Sequence, residues 1–103
     1  MTQQETLEYN KRCMKILEME YEIHSNTYRY KDLITTTLQF HSDWNWIHEI
    51  VEAIEKLGYT VAIWDNVCVI PHLKKCISET KKEAVIHAIN QFLIWYNENK
   101  TNQ

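Results

Sequence analysis

The stretch His41-Ser-Asp-Trp-Asn-Trp-Ile-His-Glu-Ile-Val-Glu-Ala-Ile-Glu-Lys-Leu-Gly58 constrains this chain most, because it reads as one complete helix with both ends marked. Ser42 or Asp43 can accept a hydrogen bond from an amide of the first turn that has no partner within the helix. Ile47, Ile50, Val51, Ile54 and Leu57 then recur at helical spacing, with Glu49, Glu52, Glu55 and Lys56 on the other side. Gly58 is the only glycine of the chain and stands where a left-handed C-cap belongs. The pattern predicts a helix over residues 43–57 and a positive φ at Gly58.

Other segments are read from the same local chemistry. Thr2 to Met19 holds helix formers without Gly or Pro, and Leu7, Met14, Ile16 and Leu17 supply its apolar side. Tyr21 to Tyr30 alternates aromatic and polar residues around His24-Ser-Asn-Thr27, which reads as a turn. Leu33 to Phe40 reads as a strand, with Ile34, Leu38 and Phe40 on one face and Thr35, Thr37 and Gln39 on the other.

Residues 59–70 read as a hairpin with Asp65-Asn66 at its tip, since Asp and Asn tolerate the positive φ of tight turns. A two-residue loop pairs Trp64 with Val67, Ile63 with Cys68, Ala62 with Val69 and Val61 with Ile70. Pro71 ends the strand, and residues 72–77 form a basic connection. Thr80-Lys-Lys-Glu83 opens a last helix, predicted over 81–97 and apolar at Val85, Ala88, Ile89, Phe92 and Tyr96, widened by Ile86, Leu93 and Trp95. A polar tail follows from about residue 98. The order α-β-α-β-β-α, with room for another strand near residue 25, implies an α+β fold. A small antiparallel sheet including the 60–70 hairpin packs with about three helices.

Composition bounds the function. The 103 residues are expected to form a single globular domain, residues 1–103. Eleven basic against fourteen acidic residues argue against direct nucleic-acid binding, which needs phosphate-neutralising charge. Residues 1–73 carry six basic and eleven acidic groups, net -5, whereas residues 74–103 carry five and three, net +2. Charge interrupts the first twenty residues, so no signal peptide is read. No apolar run suits a membrane span, and no membrane association is expected. Cys13, Cys68 and Cys76 are an odd set, expected to be reduced in a cytoplasmic protein.

Three constellations invite catalytic or metal chemistry. Cys68-x3-His72-x3-Cys76 offers residue types that zinc accepts, but the spacing misfits, Pro71 interrupts it and a fourth ligand must come from elsewhere. His41 and His48 lie near Asp43 and Glu49 without a nucleophile or oxyanion device, so both histidines read as surface residues. Asp65 with Glu79-x-Lys81 imitates a metal-dependent nuclease, yet Lys81 starts a helix where a strand is wanted. The expectation is therefore a non-enzymatic protein with no metal and no cofactor.

The tryptophans carry more information. Trp44 and Trp46 are two apart on a helix, so both cannot lie on one buried stripe. On the hairpin, if Val61, Ile63, Cys68 and Ile70 face the helices, Ala62, Trp64, Val67 and Val69 are left outside. Either Tyr21, Tyr28 and Tyr30 of residues 21–32 reach across to cover them, or they form an interface with a second copy or a host protein. The partner-binding candidates are thus Trp64, Val67, Val69 and Trp44. A nucleotide-sequestering sponge is the alternative, with Lys74, Lys75, Lys81 and Lys82 as its clustered ligand-binding candidates.

Taken together, His41-Ser-Asp-Trp44, the Ile-Val-Glu-x-Ile-Glu-x-Leu-Gly run to Gly58, the strand after it and the closing Lys-x-Glu-Ala-Val…Phe-Leu-Ile-Trp-Tyr-Asn resemble a group of short proteins encoded by phages and prophages of anaerobic bacteria. The resemblance covers residues 38–98 and brings no catalytic residues with it. It implies a phage-type accessory protein in the bacterial host's cytoplasm, with a host protein as partner. By analogy with other small phage proteins, an anti-CRISPR-like inhibitor of host defence is its concrete form.

Overall fold

A computed structural model describes residues 1–101, without the last two residues of the expected tail. Three helices, α1 (Gln3–Leu17), α2 (Trp44–Lys56) and α3 (Lys81–Thr101), accompany six short strands. The strands are β1 (Glu20–Glu22), β2 (Thr27–Tyr30), β3 (Leu33–Thr35), β4 (Ala62–Trp64), β5 (Val67–Val69) and β6 (Cys76–Ile77). The α+β class is as read, but the single expected sheet is two antiparallel sheets, ordered β1-β2-β3 and β4-β5-β6.

The helix ends follow their local signals. Asp43, not Ser42, caps α2, its carboxylate accepting from the Asn45 amide at 2.8 Å. At the other end Gly58 has φ +99°, its amide donates to Glu55 and that of Tyr59 to Ile54. This is the double-bonded left-handed stop that satisfies the last carbonyls of a helix. A Cβ at Gly58 would meet nothing within 4 Å, so Gly58→Ala costs only the conformational penalty. That penalty is about 1 kcal/mol. Urea unfolding should show this loss, and an unchanged midpoint would refute it.

α1 stops in the same way without a glycine: Glu18 takes φ 57° and Met19 donates to Met14. Its start carries a reciprocal cap between Thr2 and Glu5. Its buried residues are Tyr9, Asn10 and Cys13, and the predicted Met14, Ile16 and Leu17 pack against the core beside them, while Leu7 is exposed. In α3, Thr80 accepts from the Glu83 amide at 3.1 Å, and the helix continues through the predicted end at Asn97 to Thr101.

α3 is the centre of the molecule. It packs on α1 and α2 and also against the β4-β5-β6 sheet. A helix covered on two sides needs apolar residues around most of its circumference. Ala84, Val85, Ile86, Ala88, Ile89, Phe92 and Leu93 are all buried, which joins the predicted stripe and its widening into one core.

The predicted strand over Leu33 to Phe40 survives only as Leu33–Thr35. Thr35 ends it by its own side chain, which accepts from the Thr37 amide and donates to the Thr37 carbonyl. Hydroxyl side chains near the backbone compete in this way with a strand ladder. The chain then turns at Gln39, whose carbonyl accepts from Ser42 and Asp43. The supposed common face is consequently dispersed: Phe40 is buried, Leu38 half-buried and Ile34 exposed. Upstream, the turn falls at residues 23–26, one position before the predicted 24–27, and joins β1 to β2 with Asn26 at positive φ.

Candidate interaction surface

The β4–β5 hairpin has the register expected of a two-residue loop, Ala62 opposite Val69, Ile63 opposite Cys68 and Trp64 opposite Val67. Asp65 supplies the positive φ at the tip. Directly opposed residues share a face of the sheet, and successive residues alternate between faces. Cys68 and Ile70 are buried toward α3, and the opposite face carries Trp64, Val67 and Val69 together.

The third strand of this sheet has no legible pattern in the sequence. The predicted basic connection over residues 72–77 contains a strand, because Cys76–Ile77 pairs with β5, Val67 opposing Ile77 and Cys68 opposing Cys76. Asn66 secures the pairing: its side-chain amide donates to the Ser78 carbonyl at 2.7 Å, and the Ser78 amide donates to the Asn66 carbonyl at 3.1 Å. The available signal was the alternation Cys76 inward, Ile77 outward, which two residues are too few to make legible.

Trp64, Val67 and Ile77 therefore form one apolar row across three strands. Trp64 is 49% exposed and Ile77 60%, with Val67, Ala62 and Val69 half-buried around them. Residues 21–32, the alternative to an interface as cover for this face, form the other sheet, and Trp64 stands half in solvent. Trp44 is not part of this row. It stands on the first turn of α2, half-buried against the core, its ring 5.6 Å from that of His48. Lys74 and Lys75 are exposed between β5 and β6. Lys81 and Lys82 occupy the first turn of α3, Lys81 exposed and Lys82 half-buried.

The chain matches no family model, no curated protein and no solved structure. The reading of the surface thus rests on its own geometry.

Asp43 caps α2, and His41 and His48 are exposed. Glu49 accepts from the Tyr30 hydroxyl at 3.2 Å and lies 3.6 Å from the Lys31 ammonium. His72 is exposed and its ring stacks toward Trp95, while Cys68 and Cys76 are buried as free thiols. Among the described residues no three His, Cys, Asp or Glu side chains gather as a metal site, and no helix is long and apolar enough to cross a membrane.

Burial pushes the thiols of Cys13, Cys68 and Cys76 above their ordinary value of 9.0, Cys68 to about 11 with Cys76 adding to the rise. The unfolded chain releases these protons at lower pH than the folded one. Stability is fully present below the ordinary thiol value and is lost as pH rises through the folded value of Cys68. Urea midpoints should fall across that alkaline window, and Cys68→Ala should flatten part of the fall. A wild-type profile level through the window would contradict it.

A second feature lies at the other sheet. A cavity of about 290 Å³ opens between the β1-β2-β3 meander, the end of α1 and the first turns of α2. Leu17, Met19, Tyr30, Leu33, Phe40 and Trp46 form its apolar lining, with Lys31, Asp32, Asn45 and Glu49 as its polar groups. By register Tyr21, Tyr28 and Thr35 share one face of the meander, and the same alternation adds Tyr30 and Leu33.

Proposed function

We propose that this chain is a non-enzymatic, phage-type accessory protein that acts in the bacterial cytoplasm by protein–protein contact. Its concrete form is an inhibitor of a host defence system of the anti-CRISPR kind, as the resemblance over residues 38–98 suggests. The observation that supports contact as the mode of action is the row Trp64–Val67–Ile77, whose two outer members stand about half exposed. Aromatic anchors amid apolar neighbours are the usual energetic centres of protein interfaces. The sheet beneath is held by α3 and by the Asn66–Ser78 hydrogen bonds, so the row is presented on a rigid support.

Trp64→Ala tests this directly. The fold should persist, because the side chain is 49% exposed already. Loss of an aromatic anchor should weaken association by about 2 kcal/mol or more, about thirtyfold. The measurement is quantitative mass spectrometry of material co-purifying with each variant from the host, alongside plating of a phage targeted by the host's CRISPR system. A protein recovered in stoichiometric amount with the wild type and lost with the variant, together with restored plating only for the wild type, is the expected result. A bound nucleotide in place of a protein would choose the sponge built on Lys74, Lys75, Lys81 and Lys82. Equal activity of the two variants would remove the sheet face from the account.

A further inference from the structure

We infer that the cavity between the meander and α2 is a second docking site, one that takes a basic, apolar segment of a polypeptide partner. The free chain already shows the recognition chemistry. The Lys31 ammonium lies 5.0 Å from the centre of the Tyr30 ring and 3.6 Å from a Glu49 carboxylate oxygen. The Tyr30 hydroxyl donates to that same oxygen at 3.2 Å, which fixes ring and carboxylate together as one cation subsite. An ammonium or guanidinium is attracted by both an aromatic face and a carboxylate. Lys31 reaches the subsite only as a tethered occupant: it sits in the two-residue turn between β2 and β3 with φ 54°, a conformation that lysine adopts rarely. Its side chain is 62% exposed, and an exposed ion pair of this sort contributes little. A cation delivered by a partner, with apolar residues entering beside it, would displace it readily.

The surroundings select the same partner. Beside the subsite the walls are apolar and aromatic, and Leu33 and Tyr21 of the meander's aromatic face remain 42% and 46% exposed. The meander docks on α2 through Tyr30 and Lys31 against Glu49, and the part of that face beyond this contact is left open. At the cavity itself the carboxylates of Asp32 and Glu49 stand against the single ammonium of Lys31, so its charged lining is net negative. This field repels nucleic acid and anionic lipid surfaces and attracts lysine- or arginine-bearing peptide.

The test uses the isotopically labelled full chain titrated with a short leucine–lysine peptide and with its leucine–glutamate counterpart, followed by amide chemical shifts. Saturable shifts should centre on Tyr30, Lys31, Leu33, Asn45, Trp46 and Glu49. The glutamate peptide should bind at least about tenfold more weakly. Glu49→Gln should weaken the lysine peptide by about tenfold, whereas Lys31→Ala should tighten it, because the competing cation is gone. Both substitutions lie on exposed or half-exposed side chains and leave the core intact. Shifts centred on Trp64 and Ile77, equal binding of the two peptides, or weaker binding by Lys31→Ala would each overturn the inference. Because the shifts are located residue by residue, this site stands or falls separately from the Trp64 face.

Discussion

Phe92→Ala is expected to remove about 3–5 kcal/mol of stability, the range for truncating a fully buried aromatic. Phe92 has no exposed surface, and its ring lies 5.0 Å from Tyr59, 5.6 Å from Tyr96 and 6.0 Å from Trp95. It sits on the helix that joins the other two helices to the β4-β5-β6 sheet. That two-sided attachment is why the loss should approach the upper figure: α3 cannot move toward one neighbour to fill the void without leaving the other. Domains of this size are stable by only about 5–15 kcal/mol, so a substantial fraction would be gone. Urea unfolding of the two proteins measures it. A loss below about 1 kcal/mol would mean that the site collapses freely and that α3 is not the common support described above.

The second large effect is expected at Tyr9, and it separates shape from hydrogen bonding. Tyr9 is fully buried on α1, and its hydroxyl donates to the Phe40 carbonyl at 2.9 Å across 31 positions of sequence. Phe40 lies in the irregular segment just before the α2 cap, and it is itself buried with its ring against Trp46. Tyr9→Phe keeps the ring and leaves a buried carbonyl without its partner, at about 1–3 kcal/mol. Burial also holds the Tyr9 hydroxyl in its protonated, donating form, far above the ordinary range. The phenylalanine variant should therefore be less stable at neutral pH by thermal or urea unfolding. Wild-type stability in that variant would show that water or backbone adjustment replaces the bond.

The aromatic row and the cleft differ in how visible they were beforehand. Trp64, Val67 and Val69 could be placed on one face from the hairpin alone, because a two-residue loop sets the register and register sets the face. Ile77 could not, since its strand is two residues long and exists because Asn66 binds Ser78 across the sheet. Trp44 does not join Trp64, because α2 places it half-buried against its own part of the core. The cleft had no trace in local pattern. Its subsite joins Tyr30 and Lys31 to Glu49, residues 18 to 19 positions apart that only the docking of the meander on α2 brings together.

By itself the amino-acid sequence determined what local interactions decide: a capped start of α2 at Ser42 or Asp43, the Gly58 stop, the start of α3 at Thr80 and the register of the β4–β5 hairpin. Each depends on a side chain or a φ preference acting within a few residues, where the competing conformations are few. Tertiary structure decided the division into two sheets, the recruitment of β6 and the exposure of Trp64. Strand partners and burial are chosen among distant segments, and their energies are settled only when α3 has taken its place between the helices and a sheet.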